Sequence, residues 1–235
     1  MTRIIEEIRA GLEAAADEKT QASSTRFFKE EIKLYGVKTA QVTKISKTHF
    51  ARVKDLRKDE IFALCEELLE SGYLEEAGIA ANWSYWISKR YEPGDFAVFE
   101  RWVERYIDNW AKCDTLCNHT VGAFIERYPD HVERLKKWTR SENRWVKRAA
   151  AVSLIVPAKK GEFLTDIFEI TDSLLLDGDD MVQKGYGWLL KEASRQHQVE
   201  VFDYVLRNKA VMPRTSLRYA IEKMPQEMRK KAMER

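Results

Sequence analysis

Breakers of regular structure are scarce in this chain. Its 235 residues include five prolines and ten glycines. Most of them fall between periodic stretches, at Gly36, Gly72, Pro93, Gly94, Pro129, Gly178, Pro213 and Pro225. Strand-like alternation is missing as well, which argues against a sheet-based fold. No apolar run approaches the roughly 20 residues that carry a helix across a bilayer. The N-terminal stretch MTRIIEEIRAGLEAAADEK alternates apolar and charged residues at helical spacing and lacks the apolar core and cleavage site of a signal peptide. Cysteine is limited to Cys65, Cys113 and Cys117, an odd number, all in apparent helices. Reduced thiols in a cytosolic compartment are therefore expected. Neither sign of charge dominates: 40 cations face 38 anions, for a net charge of +2. What matters is where the cations sit. With 44% hydrophobic and 33% charged residues, the composition is that of a folded soluble protein.

What is present is helix after helix. Apolar spacing predicts helices at about 2–15, 24–35, 38–50, 58–71, 74–91, 95–108, 112–127, 130–139, 142–155, 161–176, 180–195, 198–207 and 214–223. Asp95 stands at the start of DFAVFERW, and Asp180 with Gln183 three residues later resembles a capping box. Short helices with short loops suit an all-α solenoid of paired helices with a concave binding face better than a four-helix bundle. There is no strict sequence repeat, so this reading rests on helix lengths. The chain reads as one domain, 1–235, with the helices of about 1–50 as a cap.

One aromatic faces an unusual direction. In DMVQKGYGWLLKEASR (180–195), Val182, Tyr186, Leu189 and Ala193 fall in one narrow stripe, the expected core face. Trp188 projects to the opposite side, with Lys184, Lys191 and Arg195 at i−4, i+3 and i+7. A ring among cations suits a polyanion carrying sugars and bases. It also suits a ring packed on a neighbouring helix, with lysine stems covering its edges. In NRWVKRAAAVSLIV, Trp145, Ala149, Val152 and Val156 form the apolar stripe beside the i, i+4 pair Arg144 and Arg148, for which a solvated helix face is the commoner reading. In DNWAKCDTLCNHTVGAF, Cys113, Cys117, Thr120 and Phe124 form the inner stripe, and Trp110 and Asp114 share its rim. Asp114 could equally be a helix-terminal carboxylate, and Trp110 a core residue. Cys113, Cys117 and His119 lack a second ligand pair at zinc spacing, so no metal is expected. No Ser/His/Asp or phosphate-loop signature occurs.

These segments carry a resemblance. DNWAKCD (108–114), ENRWVKRAAAVSLI (142–155) and DDMVQKGYGWLLKEA (179–193), with RFFKEEIKLYGV (26–37) as a weaker match, resemble the AlkD-type DNA alkylation repair glycosylases, a family of HEAT-like-repeat proteins. The likeness spans roughly residues 23 to 225. It implies that Trp110 and Trp188 contact the deoxyribose of a damaged nucleotide, that Asp114 is the catalytic carboxylate, and that Arg148 contacts DNA near the lesion. Where the family often has tyrosine, this chain has Phe27, which keeps an aromatic face and loses a hydroxyl. Lys44, Lys47, Arg144, Arg148, Lys184, Lys191 and Arg195 become candidate phosphate contacts. The implied protein is a monomer acting on duplex DNA that contains alkylated purines, with no cofactor and no membrane partner.

The chemistry fits so sparse a set of groups. A purine alkylated at N7 or N3 is already cationic and leaves as a neutral base without a general acid. The developing oxocarbenium ion needs a carboxylate and can use indole faces. Glycosylases commonly flip the target base into a pocket; the resemblance instead implies capture from the sugar side with the base in or near the stack, and the sequence suggests no deep pocket. Two other functions remain open: a non-catalytic HEAT-like-repeat binder of unusual DNA structures, and a HEAT-type protein scaffold.

Overall fold

The computed structural model describes residues 2–234, and among them the chain is all-α, with no strand and one isolated bridge between Lys33 and Tyr73. It divides into two compact units, one up to Leu116 and one from Cys117 onward. Among the described residues no helix is long and apolar enough to cross a membrane.

The first unit holds α1 (Thr2–Ala14), α2 (Glu18–Thr25), α3 (Thr39–Val53), α4 (Lys58–Glu70), α5 (Leu74–Trp86), α6 (Phe96–Tyr106) and α7 (Trp110–Leu116). Its core follows the helical stripe: Ile61, Leu64, Cys65 and Leu68 of α4 are all at most 1% exposed, at i, i+3, i+4 and i+7. They pack with Ile79 and Trp83 of α5, whose indole donates to the Ser46 carbonyl at 3.1 Å. Asp95 occupies the N-cap position of α6, but its carboxylate turns back to the Glu92 amide (2.8 Å) and Lys58 Nζ (2.8 Å).

One expected helix is absent. Residues 26–37, predicted as most of a helix over 24–35, form an irregular strap, and α2 lies earlier. Asp17 starts α2 by accepting from the Thr20 amide at 2.8 Å. The strap's amides are taken elsewhere: Tyr35, Gly36 and Val37 donate to the Glu75 carboxylate at 3.1, 2.9 and 3.1 Å. Neighbouring Glu76 is fully buried and accepts from Arg9 and from the Tyr35 hydroxyl at 2.7 Å. Gly36 turns the strap at φ +85°, and a Cβ there would lie 2.7 Å from Gln21 Cβ. Three charge-assisted bonds to one buried carboxylate outweigh the helical propensity of KEEIKLY.

The second unit opens with a π-helical segment, Cys117–Val121, followed by α8 (Gly122–Arg127), α9 (Val132–Trp138), α10 (Arg144–Val152), α11 (Ile155–Lys159), α12 (Leu164–Leu174), α13 (Asp180–Ala193), α14 (Gln198–Asn208), α15 (Arg214–Ala220) and α16 (Gln226–Met233). The single α-helix expected over 112–127 is thus interrupted, although Cys113, Cys117, Thr120 and Phe124 are all fully buried as the stripe predicts. The helix expected over 142–155 stops at Val152. Pro157 explains it: its ring would clash with the Ser153 carbonyl four residues back. Trp145, Ala149 and Val152 are buried, and Val156 half so.

α13 sits between α10 and α15. Val182, Tyr186, Leu189 and Ala193 are each 0% exposed, as expected. Its cap differs: Asp179, not Asp180, accepts from the Met181 (2.8 Å) and Val182 (3.2 Å) amides, and Gln183 reaches the Asp177 carbonyl. Gly187 lets α15 approach closely, for a Cβ there would lie 2.8 Å from Tyr219 Cβ and 2.9 Å from the Ser216 oxygen. α16 escapes sequence detection because only Ala232 of its residues is buried.

Candidate nucleic-acid interface

In the first unit the candidate residues centre on α7. Asn109, 1% exposed, accepts from the Lys112 amide at 3.0 Å and donates to Asp108 at 2.7 Å. Lys112 runs inward with its side chain 2% exposed, and its ammonium meets the Gly72 carbonyl (2.8 Å) and Asp108 (2.9 Å). The conspicuous DNWAK string is therefore a lock that fixes where α7 begins. On that fixed start Trp110 and Asp114 lie one turn apart and both are half-buried. Asp114 is past the first turn, so it is not among the first-turn amides of α7, and the half-buried Trp110 is not a core residue.

The strap meets this rim. The Trp110 indole donates to the Phe27 carbonyl at 3.3 Å, and the Phe28 ring stacks on it at 5.2 Å between centroids and 16° between planes. Phe27 itself is 74% exposed. The aromatic partner of Trp110 is Phe28, which the sequence reading missed; the doubled FF was the available signal. Alongside α7 lies a cleft of about 310 Å³ lined by Val37, Thr39, Thr43, Asn82, Ala111 and Thr115 among others.

In the second unit the candidate residues centre on α13. Trp188 is half-buried, and its indole donates to the Glu192 carboxylate at 3.2 Å. Glu192 is 4% exposed and also takes the Arg195 guanidinium. An acceptor one turn after the tryptophan orients its ring, and the i, i+4 spacing of Trp188 and Glu192 is its signal in the sequence. Arg148 does not lie on a solvated helix face. It is 5% exposed inside the α10–α13 contact, donates to the Met181 carbonyl at 2.5 Å, and passes where a Cβ on Gly185 would lie 3.2 Å from its Cγ. The DNA contact that the resemblance implies would have to come from a side chain already engaged with Met181. Arg144 pairs with Asp179 at 3.2 Å and lies 4.6 Å over the Trp145 ring.

A family model described as DNA alkylation repair enzyme matches residues 8–224. The chain belongs to that family. A solved structure titled "Predicted DNA alkylation repair enzyme from Enterococcus faecalis" shares the fold with a TM-score of 0.80 at 15% identity, over 90% of this chain and 97% of that one. No curated protein sequence matches the chain.

For a DNA alkylation repair enzyme the pairing state of its cations is decisive, because a lysine held by its own carboxylate attracts phosphate weakly. All three cations that the sequence placed around Trp188 are held in this way. Lys184 meets Asp180 at 3.1 Å, Lys191 meets Glu222 at 3.1 Å, and Arg195 meets Glu192. A bare cationic ring around Trp188 is thus replaced by neutralised pairs. Lys44 and Lys47 on α3 are exposed and form no ion pair among the described residues. No group of three or more His, Cys, Asp or Glu side chains among the described residues is arranged to hold a metal.

Proposed function

We propose that this protein is a monofunctional DNA glycosylase that hydrolyses the N-glycosidic bond of cationic N7- and N3-alkylated purines in duplex DNA. The observation that carries the reading is α7, where an indole and a carboxylate stand one turn apart on a helix start locked by Asn109 and Lys112. Asp114 supplies negative charge beside the sugar and orients a water. Trp110, on the same helix, offers an indole face to the developing cation, and Trp188 of the second unit is a further indole available to the sugar. Phe27 offers an exposed ring for stacking.

In the reaction, the C1′–N9 bond breaks and its electron pair passes to the purine, cancelling the positive charge. Water adds to C1′ and releases one proton to the solvent. No proton needs to reach the leaving base, so no general acid is required. A neutral base would need one, and this set of groups offers none. The test is a single-turnover assay on duplexes carrying either N7-methylguanine or uracil. Release of methylguanine with an abasic product, and retention of uracil, supports the proposal. Duplex binding without release would mean a non-catalytic binder instead.

A further inference from the structure

We propose that the groove between α15 and α16 is a second DNA contact, one that grips the phosphate backbone of undamaged duplex. The inference rests on the reading of duplex DNA as the partner and concerns a surface that the reaction does not use.

Charge is concentrated here. Residues 207–235 contain nine cations and three carboxylates, a net charge of +6 in a chain whose total is +2. The surface also differs from α13 in how its charge is held. Arg207, Arg214, Arg218, Arg229, Lys230 and Lys231 form no ion pair among the described residues, whereas the α13 cations do. Arg218, Arg229 and Lys230 are exposed. They share one groove of about 430 Å³ with Ile221 and Met233, and Glu222 at its side is occupied by Lys191 and Lys223.

The shape suits one occupant. A deoxyribose-phosphate chain presents anions at regular intervals with apolar sugar between them. Unpaired guanidinium and ammonium groups beside an apolar Ile221–Met233 floor match that alternation. An acidic polypeptide would use the cations and leave the floor without a partner. Because α15 packs on α13 through Gly187, the grip acts through the element next to the helix that carries Trp188.

The test is the salt dependence of binding to an undamaged duplex, read by fluorescence anisotropy. The triple variant R218Q/R229Q/K230Q should bind about tenfold or more weakly at low salt. Its slope of log K against log salt should be shallower by about 3, close to one per phosphate contact removed. A slope equal to that of the wild type overturns the proposal. So does competition by polyglutamate as strong as competition by duplex, which would assign the groove to an acidic polypeptide, and so does failure of the wild type to bind duplex. Should the triple variant fold poorly, R218Q, R229Q and K230Q singly should each lower the slope by about 1. Excision by the wild type is measured separately and bears on the glycosylase reading alone, so the two can fail independently.

Discussion

Asp114 stands one turn after Trp110 on a helix whose start is fixed by a buried amide and a buried lysine. Groups held this firmly stabilise charge without reorganising. Asp114→Asn should therefore slow single-turnover excision of N7-methylguanine by about 10²-fold or more. Duplex affinity should hold or rise, because a negative charge near phosphate is lost. Undiminished excision by the folded variant would remove Asp114 from the reaction. At Trp188 the indole N–H is already bound to Glu192 and the ring is half-buried. Trp188→Ala should cost about 1–2 kcal/mol, between a surface change and a core truncation, and should reduce excision strongly. Thermal melts and excision rates on the same protein separate the two effects. A stability loss near that of a core tryptophan, with activity per folded molecule retained, would make Trp188 a packing residue.

The helices depend on a few points of close approach. Gly187 brings α13 and α15 together where a Cβ would strike Tyr219 Cβ at 2.8 Å and the Ser216 oxygen at 2.9 Å. Both atoms lie at or near the backbone and give little. Beside them, the buried Tyr186 hydroxyl donates to the Leu175 carbonyl and shares a hydrogen bond with the Ser216 hydroxyl, and burial pushes its pKa up to about 12. Gly187→Ala should thus force the helices apart and destabilise the protein by about 1–3 kcal/mol, the usual cost of overpacking. An unchanged melting temperature would show that α15 can shift freely. The strap of residues 26–37 behaves differently, since its order comes from Glu75 and not from periodicity. Glu75→Ala should leave three amides without an acceptor, the buried ones of Gly36 and Val37 and the part-buried one of Tyr35, at about 1–3 kcal/mol for each buried group that stays unpaired. It should also loosen Phe28 on Trp110. Hydrogen exchange at Tyr35–Val37 faster than in the wild type, together with altered tryptophan fluorescence, checks this. Unchanged exchange there would mean that the strap has another anchor.

On the scale of the whole molecule, a net charge of +2 gives little long-range attraction for a polyanion. Binding must therefore depend on cations that the protein leaves unneutralised. Lys44 and Lys47 belong to this group, whereas Lys184 is held by Asp180. The double variant K44Q/K47Q should lower the salt slope of duplex binding by about 2, and K184Q should change it by clearly less than 1. A larger effect from Lys184 would show that its ion pair opens when DNA arrives.

Local pattern by itself determined the helical class, the buried stripe of α13 and the shared rim of Trp110 and Asp114. Helical periodicity is a property of near neighbours, so spacing alone exposes it. The resemblance, carried by the same segments, pointed to the family. Tertiary structure decided what depends on distant partners. Glu75, 38 to 40 residues from the strap amides, made an irregular segment of a sequence with helical propensity. Glu222, 31 residues from Lys191, neutralised a cation that spacing had placed near Trp188. Arg148 moved from an expected open surface to the α10–α13 contact because Gly185 left room for its side chain and Met181 offered a carbonyl 33 residues away. Periodicity shows which face of a helix is apolar, but only the packed chain determines which charges on the other face have met their partners.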